Sequence, residues 1–382
     1  MLVLIVLLLR LLLVVSFNDI SELLQLSCNV TSQEYNALYA LYTSTNGDNW
    51  SKNCNENWVF PSDYNQPCNQ QRPWYGIICN SLCQVTQLSL AHCNLNGKIP
   101  AELGNLTSMI YFDLGTNNLR GTIPTELGNM IEMSLFFLCN NSLTGTIPSS
   151  LGNMTKMLYF QIYNNSLTGI IPTQLGNMIR TQQFQVNDNS LTGSIPSELV
   201  QMKVLRYLYL QDNNLSGQIP TTLMNMSSLH SINLSNNQKL KGNLNDYFIS
   251  SLHLRSLNFE SIVLANLSLE GSLPDALFDL KNVNQIVLSS NCLTGTLPNS
   301  ICFTPKLNTL ILDGLHSQQS STCKSNSKQK LYGTLPLCLF ASPNLSVLHL
   351  AGNGLKGPLP SIPTTSGLQY LNLAGNRLIG MK

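Results

Sequence analysis

The chain has 382 residues, a formal net charge of +1 at pH 7 and only 10% charged residues, whereas charged residues make up about 25% of a typical soluble domain. No basic run suggests nucleic acid as a partner, and no acidic tail suggests a cationic one. Nucleic-acid binding is therefore not expected, and something other than charge must keep the surface soluble.

The N-terminal segment "MLVLIVLLLRLLLVVSFND" is apolar from Leu2 to Val15, with Arg10 inside the run. This run is short for a membrane span but fits the hydrophobic part of a secretory signal. Because Ser16 lies at an acceptable cleavage site, we predict a signal peptide over residues 1–16. An uncleaved membrane anchor and a damaged gene model remain the alternatives, since no basic residue precedes the apolar run.

The cysteines and the N-x-S/T sequons both favour a secretory route. There are 11 cysteines, and the odd number implies at least one free thiol or one intermolecular bond. An Asn- and Ser-rich chain also produces sequons by chance, but attached glycans would explain how a charge-poor surface stays in solution. The predicted glycosylation sites are Asn105, Asn140, Asn153, Asn164, Asn214, Asn225, Asn233, Asn266 and Asn344.

Residues 28–84 precede a repetitive region and are predicted to cap it. A helix over Ser32–Thr43 would place Leu38 and Leu41 against the apolar end of the first repeat. We interpret the aromatic residues of this segment as packing groups rather than ligand contacts. They are Trp50, Trp58 and Trp74.

Residues 85–380 repeat one phrase at a fixed distance. "NNSLTGTIPSSLGNM" begins at Asn140, and "NNSLTGIIPTQLGNM" follows 24 residues later. The shared pattern is L-x-x-L-x-L-x-x-N-x-L-x-G-x-I-P, and its alternating apolar residues predict a short strand with one face inward. Because one unit cannot bury that face alone, the units must stack and share a core. The pattern predicts a leucine-rich-repeat solenoid.

We count about twelve units from their central apolar pairs. The predicted fold class is an α/β solenoid: a right-handed superhelix with a parallel sheet on its concave face and a helical, disulfide-bonded N-terminal cap. Insertions are predicted near 260–267 and 315–330, where the spacing lengthens. The predicted pairs are Leu88/Leu90, Phe112/Leu114, Phe136/Leu138, Phe160/Ile162, Phe184/Val186, Leu208/Leu210, Ile232/Leu234, Leu257/Phe259, Ile286/Leu288, Leu310/Leu312, Leu348/Leu350 and Leu371/Leu373.

An asparagine recurs five residues after the first member of most pairs, as at Asn117, Asn165 and Asn237. The chain turns inward there, so a buried amide is expected to pair with backbone groups that lose water. Ile262 and Leu315 take this position in our alignment of units eight and ten, which predicts breaks in the ladder. We interpret the recurrent Gly and Pro of G-x-I-P as structural: the glycine permits a tight bend, and the proline fixes φ and cannot donate a backbone hydrogen bond.

The L-x-G-x-I-P ending resembles the plant-type leucine-rich repeat of receptor kinases, receptor-like proteins and polygalacturonase inhibitors. The segment "CNQQRPWYGIIC" is similar to the family's cap ending, C-x-W-x-G-V-x-C, although its first cysteine is displaced upstream. The resemblance implies a Cys68–Cys79 disulfide. Two further pairings, Cys28 with Cys54 or Cys83 with Cys93, are hypotheses from the same comparison.

The concave sheet would present outward side chains at fixed spacing, which suits a large or extended partner. Tyrosines and amides dominate these positions in units two to six, and tyrosine is enriched at binding hot spots. Exposed tyrosine is also common on strands, and glycans on nearby asparagines would obstruct part of the face. The predicted ligand-binding residues are Tyr111, Asp113, Phe137, Tyr159, Gln161, Tyr163, Gln183, Gln185, Tyr207 and Tyr209, with Asn187 and Gln211 beside them.

Enzymatic chemistry finds little support in the sequence. The five histidines are scattered, and no metal-spaced cluster, phosphate loop or nucleophile motif is present. We therefore predict no catalytic residues, no cofactor and no metal. Cys139 falls on an outward position; we interpret it as an idle surface cysteine, with a reactive thiol as the alternative.

The sequence predicts a secreted or cell-surface binding module that recognises a protein, peptide or carbohydrate. We favour a receptor-like signalling ectodomain. A secreted inhibitor of an extracellular hydrolase and a structural matrix or adhesion protein are the alternatives. Membrane attachment is expected only if the chain is a fragment or its N-terminal segment stays uncleaved.

Overall fold

The computed structural model describes residues 28–380, except 29, 52, 61–66, 70–71, 249–256, 315–330 and 360. The predicted signal peptide and the insertion at 315–330 lie outside the described residues. Twelve parallel strands, one per repeat, continue a 13-stranded sheet whose first strand pairs antiparallel with the second. The predicted solenoid is confirmed. The strands of this concave sheet are Ile77–Cys79, Val85–Ser89, Tyr111–Asp113, Leu135–Phe137, Tyr159–Gln161, Gln183–Gln185, Tyr207–Tyr209, Ser231–Asn233, Ser261–Val263, Gln285–Val287, Thr309–Ile311, Val347–His349 and Tyr370–Asn372.

A second row of short strands follows the inward turn of most described repeats. Gly145 opens the next bend with φ 77°, a left-handed conformation that favours glycine. These strands form three small parallel sheets. The members are Asn96–Lys98, Asn118–Gly121 and Ser142–Leu143, then Ser216–Gln218, Lys239–Asn243 and Ser268–Glu270, and finally Gly295–Thr296, Leu331–Gly333, Gly354–Pro358 and Arg377–Ile379.

Short helices return the chain to the next strand. In most described repeats a proline immediately precedes the helix, as Pro148 does before Ser149–Asn153, because its fixed φ suits that position. Within the described ranges the 3₁₀ helices are Gly47–Asn49, Ala101–Asn105, Thr125–Asn129, Ser149–Asn153, Thr173–Asn177, Ser197–Gln201, Asp275–Asp279 and Asn299–Phe303. The α-helices of the same ranges are Ser32–Ser44, Thr221–Met224, Leu244–Tyr247 and Cys338–Ala341.

Aromatic rings run through the core of units two to five. Phe112, Phe136, Phe160 and Phe184 are fully buried. They stack on one another with centroid distances of 5.5, 5.7 and 5.3 Å. Because each ring packs against rings of the neighbouring repeats, burial is shared between units, as the repeat pattern predicts.

The recurrent asparagines form a ladder beneath the turns. Asn165 Oδ1 accepts a hydrogen bond of 3.0 Å from the backbone N–H of Leu143 in the preceding repeat. Its Nδ2 donates to the carbonyl oxygens of Leu138, Ile162 and Tyr163. One amide therefore satisfies backbone groups of two repeats, which confirms its structural role.

The eighth repeat corrects the sequence alignment. Ser261–Val263 is the strand of the concave sheet, so the central pair is Ile262/Leu264 and not Leu257/Phe259. The predicted insertion at 260–267 is wrong, because the strand and turn of this repeat occupy those residues. The extra residues lie before the strand. The ladder position in this repeat is Leu267, which is buried and carries no amide.

The cap is built on the helix Ser32–Ser44, close to the predicted bounds. A capping box between Thr31 and Glu34 begins the helix. Glu34 is 5% exposed, and its Oε1 accepts a hydrogen bond from Val85 N at 3.0 Å, which joins the cap to the first repeat. Three buried tryptophans pack behind the helix. They are Trp50, Trp58 and Trp74.

Three disulfides fasten the cap. Cys68 is joined to Cys79, the pairing that the resemblance implied. The two other hypotheses are wrong, because Cys28 pairs with Cys83 and Cys54 with Cys93. Cys93 occupies the ladder position of the first repeat, so its bridge fixes the cap where an asparagine would otherwise hold the turn. Cys302 and Cys338 form a further bridge between later repeats.

Replacing both Cys54 and Cys93 by serine should cost the cap about 2–4 kcal/mol, because the bridge closes a loop with a sequence separation of 39 residues. All three tryptophans lie in the cap. Their fluorescence during urea unfolding therefore reports on it, and the midpoint should fall in the variant. An unchanged fluorescence midpoint would show that the bridge does not stabilise the cap.

Candidate functional site

Five adjacent strands of units two to six carry the predicted contact residues on their outward face. Strand pairing aligns one row as Tyr111, Leu135, Tyr159, Gln183 and Tyr207, and the other as Asp113, Phe137, Gln161, Gln185 and Tyr209. We call these ten residues the aromatic–amide strip. Neighbouring members of a row are about 4.8 Å apart along the sheet. Leu135 was not among the predicted contacts, although its place beside Phe136 in the L-x-L pattern marks it as outward.

The strip has aromatic ends and an amide centre. Tyr111 meets Phe137 edge-on at 5.8 Å, and Tyr207 lies 6.4 Å from Tyr209. Between them Tyr159 is 38% exposed, whereas Gln185 is only 9% exposed. Gln185 lies between Gln161 and Tyr209 in the outward row but is buried there, so the prediction that it offers contact surface needs correction.

Asp113 is engaged within the protein. Its Oδ1 accepts a hydrogen bond from Gly115 N at 2.9 Å, and its Oδ2 accepts one from the Tyr111 hydroxyl at 3.1 Å. Burial, followed by the charge of Asp113, raises the pKa of Tyr111. The phenol therefore stays protonated and keeps donating to Asp113 at neutral pH.

Cys139 and Tyr163 lie beside the strip, after the strands of units three and four. Cys139 is 9% exposed and is a free thiol. The prediction of a surface cysteine is therefore wrong. Burial raises the pKa of Cys139, which disfavours the reactive thiolate.

Several predicted glycosylation sites border the strip. Asn140 and Asn164 have left-handed φ values of 55° and 51°. Asn164 Nδ2 donates to Asn140 Oδ1 at 2.8 Å, and Asn140 Nδ2 donates to Thr116 Oγ1 at 3.3 Å. These residues lie in edge turns of the concave sheet. Sugars on them would therefore stand beside the two rows. Asn233 is aligned with Tyr209 and would limit the strip at its C-terminal end.

The remaining sequons differ in exposure. Asn266 is half-buried in an edge turn of unit eight. The exposed ones outside the strip are Asn105, Asn153, Asn214, Asn225 and Asn344.

The described part of the chain holds no group of three His, Cys, Asp or Glu side chains suited to a metal ion. His349 Nδ1 lies 3.5 Å from Asp313 Oδ2 on the concave side. No helix within the described ranges has the length and apolar character required to cross a bilayer.

Comparison with known proteins agrees with this geometry. The leucine-rich-repeat family model matches residues 84–106, 134–154 and 204–226. The plant peptide hormone receptor RGFR1 in complex with RGF2 is 30% identical, with 78% of this chain and 49% of that chain covered and a TM-score of 0.64. The leucine-rich-repeat ectodomain of the Arabidopsis thaliana receptor kinase GASSHO1/SCHENGEN3, solved with CASPARIAN STRIP INTEGRITY FACTOR 2, is 29% identical, with 90% and 47% covered and a TM-score of 0.62.

A plant ice-binding protein shares the fold at 19% identity, with 92% of this chain and 96% of that chain covered and a TM-score of 0.62. No curated protein matches the sequence significantly. The chain spans about half the length of the two receptor structures.

The repeats and the concave sheet define a leucine-rich-repeat solenoid. The chain contains leucine-rich repeats and is similar to the ectodomains of plant receptor kinases, with which it shares the parallel-sheet solenoid.

Proposed function

We propose that this protein is the ligand-binding part of a receptor-like protein and that its aromatic–amide strip binds a peptide or a protein. It acts by binding, without catalysis. Its disulfides support an extracellular or cell-surface location.

The observation that carries the proposal is the composition of the strip. Its two aligned rows contain four tyrosines, one phenylalanine and four side-chain positions with amides or a carboxylate. Tyrosine rings provide apolar area at low cost in conformational entropy, and glutamine amides both donate and accept hydrogen bonds. A ligand lying across the strands would therefore meet rings and amides in turn.

The receptor structures support the same function. Both receptors were solved with ligands, RGF2 and CASPARIAN STRIP INTEGRITY FACTOR 2, and both share the fold of this chain at 29–30% identity. Their ligands are properties of those proteins. What we carry over is the use of such a solenoid as a peptide-binding surface.

The test uses the secreted protein and a displayed library of random peptides. Peptides selected by the wild type should bind about tenfold or more weakly to the variant Tyr207→Ala/Tyr209→Ala, because truncated hot spots cost about 1–2 kcal/mol or more. Tyr332→Ala is the matched control, since Tyr332 is 56% exposed on a second-row strand away from the strip.

Equal losses in the strip variant and in the control would contradict the proposal, as would the failure of the wild type to select any peptide. Thermal unfolding should be similar for all three proteins, since the substituted tyrosines lie outside the buried core.

A further inference from the structure

Two aspartates lie in neighbouring turns at the edge of the strip. Asp188 and Asp212 occupy the edge turns of units five and six, with left-handed φ values of 53° and 57°. The N–H of Asn189 donates to the carbonyl oxygen of Asp212 at 3.1 Å, so the two turns are in direct contact. Neighbouring turns repeat at the strand spacing of about 4.8 Å. Two negative charges are thereby held close together.

Neutral amides orient these carboxylates without neutralising them. Asn187 Nδ2 donates to Asp188 Oδ2 at 2.6 Å, and Asn236 Nδ2 donates to Asp212 Oδ1 at 2.7 Å. Neither carboxylate forms an ion pair with a described residue. Like charges in neighbouring turns repel one another. A cation placed between them would relieve this repulsion.

Two unpaired acceptors lie next to the carboxylates. Asn187 is 8% exposed, and its Oδ1 has no hydrogen-bond partner. Gln211, aligned with it one repeat later, also has a buried and unpaired carbonyl oxygen, Oε1. A buried acceptor without a donor costs about 1–3 kcal/mol. Rotation about the terminal side-chain torsion, which is broad for amides, would turn Gln211 Oε1 toward an arriving donor.

The edge turns of units five and six contain no sequon at Asp188 or Asp212. Asn140 and Asn164 begin sequons in the equivalent turns of units three and four. In unit five the corresponding residue is Asp188, although Ser190 still completes the pattern. The sequon at Asn214 begins two residues after Asp212, past the turn, where the chain leads into the second-row strand Ser216–Gln218.

We propose that Asn187, Asp188, Gln211 and Asp212, which we call the acceptor corner, bind a basic group of the peptide that occupies the strip. The group is an arginine or lysine side chain or the peptide's amino terminus. This inference rests on the proposed function and names the ligand chemistry of one end of the site.

The chemistry of the corner matches such a group. Each basic group offers only donors and a positive charge, and the guanidinium of arginine has five N–H donors in a planar fork. The corner offers two carboxylates and two carbonyl acceptors. Tyr209, two residues before Gln211, adds an aromatic ring close to the corner, where it can stack on a cation. A metal ion fits less well, because the described residues supply no third His, Cys, Asp or Glu side chain here.

The test separates the effect of losing a negative charge from the effect of covering the site with a glycan. The variant Asp188→Asn places an asparagine before Asn189 and Ser190, which completes an N-x-S sequon and adds a glycan in a eukaryotic host. By contrast, Asp188→Asn/Ser190→Ala and Asp212→Asn remove charge alone. Glu102→Gln, an exposed acidic residue on the helix Ala101–Asn105, is the control. Each secreted protein is offered the same positional-scanning peptide library, and mass spectrometry verifies the glycan at position 188.

The wild type should enrich arginine, lysine or a free amino terminus at one position. The two charge variants should lose that enrichment by about tenfold while keeping their preferences at other positions. The control should retain the wild-type profile. Selection of peptides without a basic group by the wild type, or an unchanged preference in the charge variants, would overturn the inference.

The glycan variant tests the proposed function separately. It should lose the peptides that contact Tyr207 and Tyr209, because the sugar at position 188 would stand next to the end of the strip that carries these two residues. If it bound every selected peptide as the wild type does, the strip would not be the binding surface. The proposed role of the acceptor corner would then be contradicted as well.

Discussion

Phe160→Ala should lower the free energy of unfolding by about 3–5 kcal/mol, the usual cost of truncating a buried phenylalanine. The ring is fully buried and stacks on Phe136 at 5.7 Å and on Phe184 at 5.3 Å. Its removal leaves a cavity shared by three repeats. Because the backbone of each repeat is held by its neighbours, the cavity cannot collapse easily.

The measurement is urea unfolding of the secreted protein followed by far-UV circular dichroism, which reports on the repeats. Tyr159→Ala is the matched control, because this adjacent residue is 38% exposed and its truncation should change stability little. An equal loss of stability in the two variants would contradict the assignment of inward and outward faces.

Asn165→Ala should destabilise the protein by about 1–3 kcal/mol, since several backbone groups lose a hydrogen-bond partner at once. The amide accepts from Leu143 N and donates to three carbonyl oxygens, two of them in its own repeat. Alanine leaves these groups beneath the turn without a donor or acceptor. Water reaches them only if the turn opens.

Asn118→Ala provides the comparison within the same residue type. Asn118 is exposed, and its Nδ2 donates to Asn94 Oδ1 at 2.8 Å. The free energy of unfolding of Asn118→Ala should remain within a few tenths of a kcal/mol of the wild-type value, as for ordinary surface positions. If Asn118→Ala proved as harmful as Asn165→Ala, the ladder would not be the source of the effect.

The repeat period made most of the fold predictable. Strand, turn and ladder positions follow from the spacing of leucine and asparagine, because each repeat must bury the same apolar face against its neighbours. The prediction was wrong in the eighth repeat, because its sequence "LNFESIVLANL" contains two L-x-L-like pairs. Neither alignment places an asparagine at the ladder position, so pattern alone could not choose between Leu257/Phe259 and Ile262/Leu264.

The disulfides of the cap could be predicted from the sequence only in part. The resemblance implied Cys68–Cys79, but Cys28–Cys83 and Cys54–Cys93 depend on how the cap folds back onto the first repeat. Cysteine spacing alone does not fix disulfide connectivity.

At the site, alternation along each strand identified outward positions but not their burial. Gln185 and Cys139 point away from the core yet are largely covered by neighbouring side chains. Asp188 and Asp212 were also not singled out from the sequence, although their separation of 24 residues equals the repeat period and places them in equivalent turns; the near-neutral net charge gives no sign of a local acidic edge.

The most direct test of the account is a structure of the secreted protein bound to a selected peptide. The account predicts that the peptide crosses the concave sheet, contacts Tyr159, Tyr207 and Tyr209, and places a basic group at Asp188 and Asp212. A peptide bound to the second-row strands or to the cap, with the strip uncovered, would contradict it.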